Sequence, residues 1–125
     1  MLKDKISSAI VAVSDLTRAR RFYKDTLGLP LDDAGEEEVL TFRTGDTRLV
    51  VYPSQDVRPG SGNAVVWGAG GDVEVIADEL RSRGVTFEEY PEMGMRIDRG
   101  VHKADGFAGI WFKDPDSNIL HVNSL

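Results

Sequence analysis

The feature that most constrains this chain is a repeat. Ile10 to Val13 is a β-branched run, after which Ser14 or Asp15 offers a side-chain oxygen to the free N–H groups of a helix beginning near Leu16. Leu16, Ala19, Phe22, Tyr23 and Leu27 fall on one face of a 3.6-residue period. Gly28 stands where a helix exits through a left-handed residue, and Pro30 blocks continuation. From Asn63 the pattern begins again: a strand through Trp67, the loop Gly68-Ala69-Gly70-Gly71, Asp72 as a cap, a stripe of Val73, Ile76, Ala77 and Leu80, and Gly84 at the exit. Asp15 and Asp72 are 57 residues apart and Gly28 and Gly84 are 56 apart, a near-constant offset that marks a duplicated unit.

Three strands are expected after each helix. In the first half they are Leu29 to Leu31, Glu38 to Arg43 and Thr47 to Tyr52, the last two joined by the turn Thr44-Gly45-Asp46, with an acidic turn over Asp32 to Glu37. In the second half they are Val85 to Tyr90, Phe107 to Phe112 and Asn118 to Asn123, with Met93 to Asp105 as an irregular strand and a mobile loop. The pattern predicts one α+β domain over residues 1–125: module one about 6–53, a linker about 54–62, and module two about 63–125. A βαβββ unit has one bare sheet face, and two such units pair into cup-shaped mixed sheets whose concave side takes a ligand.

Composition narrows the partners. Hydrophobic residues at 41% and charged residues at 29% suit a folded globular protein rather than a disordered one. No apolar run approaches the roughly 20 residues of a membrane span, and the N-terminus lacks a signal-peptide pattern, so no membrane association and a cytoplasmic setting are expected. The absence of cysteine removes disulfides, thiolate nucleophiles and thiolate metal sites. Fifteen basic against twenty-one acidic residues, a net charge of -6, argue against nucleic acid and favour a neutral or cationic small ligand.

Two motifs carry a family resemblance. Val13-Ser14-Asp15-Leu16 running into Phe22-Tyr23 and Leu27-Gly28-Leu29, together with Phe112-Lys113-Asp114-Pro115-Asp116-Ser117-Asn118 near the end, resemble the vicinal oxygen chelate superfamily, which includes glyoxalase I, extradiol dioxygenases and bleomycin-resistance proteins. The resemblance covers nearly the whole chain and implies the glyoxalase/bleomycin-resistance fold and a homodimer. In the metal enzymes of that family each half supplies two ligands: a histidine on its first strand and a glutamate, histidine or glutamine on its last. Here those positions fall on Ser8, on Leu49 or Val51, on Val65 or Asn63, and on His121. One imidazole among Ser, Leu and Val or Asn is a poor match for a divalent ion, which needs several lone pairs converging on one point, so no metal and no other cofactor is expected. His102, the other histidine, matches no family position.

The ligand-binding candidates are therefore Ser8, Leu49, Asn63, Trp67, Trp111 and His121, with His121 also the catalytic candidate. With residues 8 and 121 inward, as the resemblance implies, strand parity places Ile6, Ser8 and Ile10 on one inward face and Ile119, His121 and Asn123 on another, with Leu49 and Val51 continuing the apolar wall. Trp67, Trp111 and Tyr52 are either core residues or an aromatic wall. Asp114 and Asp116 belong to a turn-forming run rather than a catalytic pair, and Glu36 to Glu38 and Glu88-Glu89 are solvated faces. The Gly68 to Gly71 run lacks a phosphate-binding fingerprint, and Ser7 and Ser8 lack a histidine at nucleophile-activating spacing. The expected function is binding of a small, aromatic or cationic molecule in a metal-free cup, over which the 93–105 loop closes. The alternative is an enzyme: a metal-dependent lyase, isomerase or dioxygenase with an atypical shell, or a metal-free catalyst using His121.

Overall fold

The computed structural model describes residues 3–5, 8–32, 39–55, 57–58 and 62–125; Ile6, Ser7 and the acidic run at 33–38 lie outside them. The chain divides into two compact units, Met1–Arg58 and Pro59–Leu125, with the boundary inside the 54–62 stretch. Each carries a mixed sheet and few helices, which makes the fold α+β as the repeat implied.

In the first unit, β1 (Ala9–Val13) pairs in parallel with β3 (Thr47–Pro53), which pairs antiparallel with β2 (Leu40–Thr44). Helix α1 (Leu16–Arg20) starts where expected: the Asp15 carboxylate accepts from the Arg18 N–H at 3.0 Å. It does not continue as one α-helix to Leu27. Arg21–Thr26 form a π-helical turn in which the Leu27 N–H donates to the Phe22 carbonyl five residues back. Tyr23, fully buried, reaches the Phe42 ring at 5.8 Å between centroids. Val11, Val13, Leu40, Phe42, Leu49 and Val51 share that buried face. Gly28 has the expected left-handed φ of 73°. The predicted strand Leu29–Leu31 reduces to one bridge between Leu31 and Phe42, because Pro30 has no N–H to extend a ladder.

In the second unit the strand order is β4 (Asn63–Gly68), β8 (Ile119–Asn123), β7 (Phe107–Lys113), β6 (Val101–Ala104), β5 (Arg96–Asp98). Helix α2 (Val73–Ser82) buries Val73, Ala77 and Leu80. Asp72 makes no side-chain cap, since a short 3-10 turn over Gly70–Asp72 leads into the helix instead. Within 93–105 the expected strand is present, but the expected loop is a paired element: β5 and β6 form a hairpin with Arg99 and Gly100 at its tip. The predicted strand Val85–Tyr90 is one bridge from Phe87 to Phe112, followed by the Glu88 N–H donating to the Trp111 carbonyl at 2.7 Å.

Candidate functional site

Strand alternation gives the second sheet two different faces. One packs on α2: Phe112, Ile110, Leu120 and Val122 are buried there, Phe87 lies 6.3 Å from Phe112, and Lys103 forms an ion pair with Glu74 of the helix. The opposite face carries Phe107, Gly109, Trp111 and Lys113 of β7, Ile119, His121 and Asn123 of β8, and His102 of β6.

Rings crowd that opposite face. Trp111 and His121 are cross-strand partners whose rings stack 4.1 Å apart at 13°. His102 meets Trp111 edge-on at 4.9 Å, and Tyr90 does so at 5.6 Å. A Cβ on Gly109 would lie 2.8 Å from Cζ of Phe107 and 3.1 Å from Cε1 of His121, so the absence of a side chain there is what lets Phe107 lie across the strand towards His121.

The hydrogen bonds fix both imidazoles as neutral, single tautomers. Carbonyls only accept, so Nδ1–H of His121 donates to the Ile110 carbonyl at 2.9 Å, and Nε2 accepts from Nδ2–H of Asn123 at 3.2 Å. Asn123 is oriented in turn by its Oδ1, which accepts from the Leu125 N–H at 3.1 Å. His102, fully buried, donates from Nδ1–H to the Gly100 carbonyl at 3.2 Å and accepts at Nε2 from the Tyr90 N–H at 3.0 Å.

Burial pushes His121 below its ordinary 6.5; the Ile110 carbonyl opposes this and nearby His102 reinforces it. Above about pH 6.5 folded and unfolded chains both carry it neutral, whereas below that the unfolded chain takes up a proton the folded chain resists. Stability is therefore expected to fall as pH drops from about 6.5 towards the lower folded value, and His121→Gln should flatten that part of the profile. Urea midpoints at about pH 7.5 and about pH 5.5 for both proteins measure the difference; identical slopes would exclude His121 as the cause.

The structure groups only some of the expected site residues. His121, Trp111 and Asn63 share one face, Asn63 standing exposed opposite Ile119 at the end of β4. Trp67 does not join them: it pairs with Val122 and so belongs to the α2 face. Val65 pairs with Leu120 on that same α2 face, and a register shift between Asn63 and Val65 breaks the expectation that these two point the same way. In the first unit, Leu49 pairs with Ala9 and Val51 with Val11, which places both in the helix-side core, fully buried. Ser8 and Ile10 lie on the other parity, and Ile10 is 64% exposed, so Leu49 and Val51 do not continue their wall. The 93–105 hairpin contributes His102 to the sheet rather than a closing loop.

Of the family ligand positions, Ser8, His121 and, in the alternative register, Asn63 carry donor atoms, a poor match for a divalent ion. Leu49 and Val65 offer no lone pair, and both His121 nitrogens already bond protein groups. No group of three or more His, Asp or Glu able to hold a metal occurs among the described residues. Phe107, Gly109, Tyr90 and His102 were not among the candidates; the alternation 107, 109, 111 along β7 is the sequence signal that reaches the first two. Two open grooves of about 390 and 400 Å³ also occur in this unit, the first bordering the ring-lined face at Phe107 and the second beside Phe87 and Gly100. Of the cations that line them, Lys103 is paired with Glu74 and Arg81 with Asp78, while Arg96 lines the first groove and Arg99 the second.

The chain belongs to the Glyoxalase/Bleomycin resistance protein/Dioxygenase superfamily, whose profile matches residues 5–122. It is 21% identical over 126 residues to the uncharacterized protein YraH of Bacillus subtilis (strain 168), spanning 97% of this chain and 98% of YraH. Among solved structures it resembles a glyoxalase family protein from Bacillus anthracis, with a TM-score of 0.75 and 17% identity over 96% of this chain and 93% of that one. It also resembles the fosfomycin resistance protein FosX from Mesorhizobium loti, with a TM-score of 0.70 and 14% identity over 98% and 92% of the two chains. At such identities these two structures speak for the fold alone. Among the described residues, no helix is long and apolar enough to cross a membrane.

Proposed function

We propose that this chain is a metal-free small-molecule-binding member of its superfamily, and that the guest lies on the ring-lined face of the β7–β8 pair. The observation that carries this reading is the stacked Trp111–His121 pair, held with both imidazole nitrogens spent on Ile110 and Asn123. A face of neutral rings with preset orientation is what a small apolar guest requires, whereas a general base needs a nitrogen ready to take a proton. Native mass spectrometry of untagged protein from its host is expected to show a co-purifying organic molecule, and elemental analysis substoichiometric nickel, zinc, manganese and iron. One equivalent of such a metal, lost in His121→Ala, would overturn the metal-free part.

One observation favours catalysis as a second reading: His121 is kept neutral, and a neutral imidazole can act as a base once Asn123 is displaced from Nε2. Turnover of a co-purified molecule, abolished by His121→Gln, distinguishes the two.

A homodimer in the cytoplasm is part of the same proposal. Ile10 on β1 and Val66 on β4 are 64% and 57% exposed, and each belongs to a strand at the end of its sheet, the kind of surface a two-fold interface covers. Light scattering at micromolar concentration is expected to give twice 13.8 kDa; the monomer mass at that concentration would contradict it.

A further inference from the structure

Hydrogen-bond capacity on the ring-lined face is unevenly used. The acceptor nitrogens of His121 and His102 are both occupied. Donors are left over. Trp111 is only 6% exposed, yet its indole N–H has no partner and is not sealed from the surface. Asn123 uses one Nδ2 hydrogen on His121 and keeps the other. The Tyr90 hydroxyl has no partner either; burial first, and Glu88 second, push it up, so it stays protonated and able to donate. The cation at this face, Lys113, is held by Glu88 at 3.0 Å, and the chain as a whole carries -6.

Resting on the binding reading above, we infer that the guest is an uncharged aromatic molecule bearing a carbonyl oxygen, which accepts a hydrogen bond from the Trp111 indole N–H. An N–H that reaches the surface without a protein partner is open to an acceptor on a guest, and an indole N–H can only donate. A cation would meet donors. An anion would meet an acidic chain whose nearby lysine is already paired. Ring edges and faces from Trp111, Tyr90 and Phe107 suit an aromatic body.

The test uses three fragments of similar size: acetophenone as neutral carbonyl, benzoate as anion and benzylammonium as cation. The chain has two tryptophans, so ¹H–¹⁵N spectra of the full-length protein carry two indole signals, and Trp111→Phe assigns the one of interest. Acetophenone is expected to shift the Trp111 indole signal downfield in a saturable way, and Trp111→Phe to weaken its binding by about tenfold, the loss of one hydrogen bond. Stronger saturable binding of benzoate or benzylammonium at this face would overturn the inference while leaving the binding reading intact. If no fragment perturbs residues 102–123 at all, both fall. Should Trp111→Phe fail to fold, the wild-type shifts alone decide.

Discussion

Asp114→Ala is expected to lower the unfolding free energy by about 3 kcal/mol, because a buried carboxylate accepting several hydrogen bonds leaves each donor stranded when it is removed. Asp114 is 4% exposed, and its Oδ1 accepts from the N–H groups of Asp116 and Asn118 at 2.9 and 2.8 Å. Its Oδ2 accepts from Nδ2 of Asn118 at 2.9 Å. These bonds hold Ser117 at a φ of 66°, a left-handed conformation that serine adopts only where its surroundings impose it. The turn joins β7 to β8, so the same bonds set the register that puts Trp111 opposite His121. Asp114→Asn keeps one acceptor oxygen and should lose about half as much. Urea unfolding followed by circular dichroism measures both, and a loss under about 1 kcal/mol in the alanine variant would show that water replaces the carboxylate.

Gly100→Ala should be of similar size, about 3 kcal/mol, from two additive sources. Gly100 has a φ of 86°, where a Cβ costs roughly 1 to 2 kcal/mol. That Cβ would also lie 2.9 Å from Cβ and Cδ2 of Phe87, an overlap worth about 1 to 3 kcal/mol more. Gly94 separates the two, since its φ is 77° but nothing lies within 4 Å of an added Cβ. Gly94→Ala should show the backbone part alone, and equal losses at the two sites would mean that Phe87 simply moves aside. Because the Gly100 carbonyl holds Nδ1–H of His102, the Gly100 variant should also shift the His102 ring resonances, and the Gly94 variant should not.

The start of the first helix and its cap, the closing glycines and the Asp-Pro-Asp-Ser turn were legible because each depends on residues within about five positions of one another, and the repeat because such local signals recur at a near-constant offset. Family membership was legible for the same reason, through two local motifs matched within residues 5–122. The hairpin at 96–104 was not, since its strands are only three and four residues long and too short to show a period. His102 and Tyr90 were missed with it: a ring's neighbours across a sheet are set by register, which no spacing within one strand reveals.

The candidate site divides along the same line. Sequence parity by itself put His121, Asn123 and Ile119 on one face and named Trp111 as a candidate wall. Only tertiary structure decided that Trp67, Leu49, Val51 and Val65 lie on helix-side faces instead. Parity fixes which residues of one strand agree with each other, but the pairing between strands fixes which strands agree. Here a single register shift between Asn63 and Val65 reversed the answer for β4.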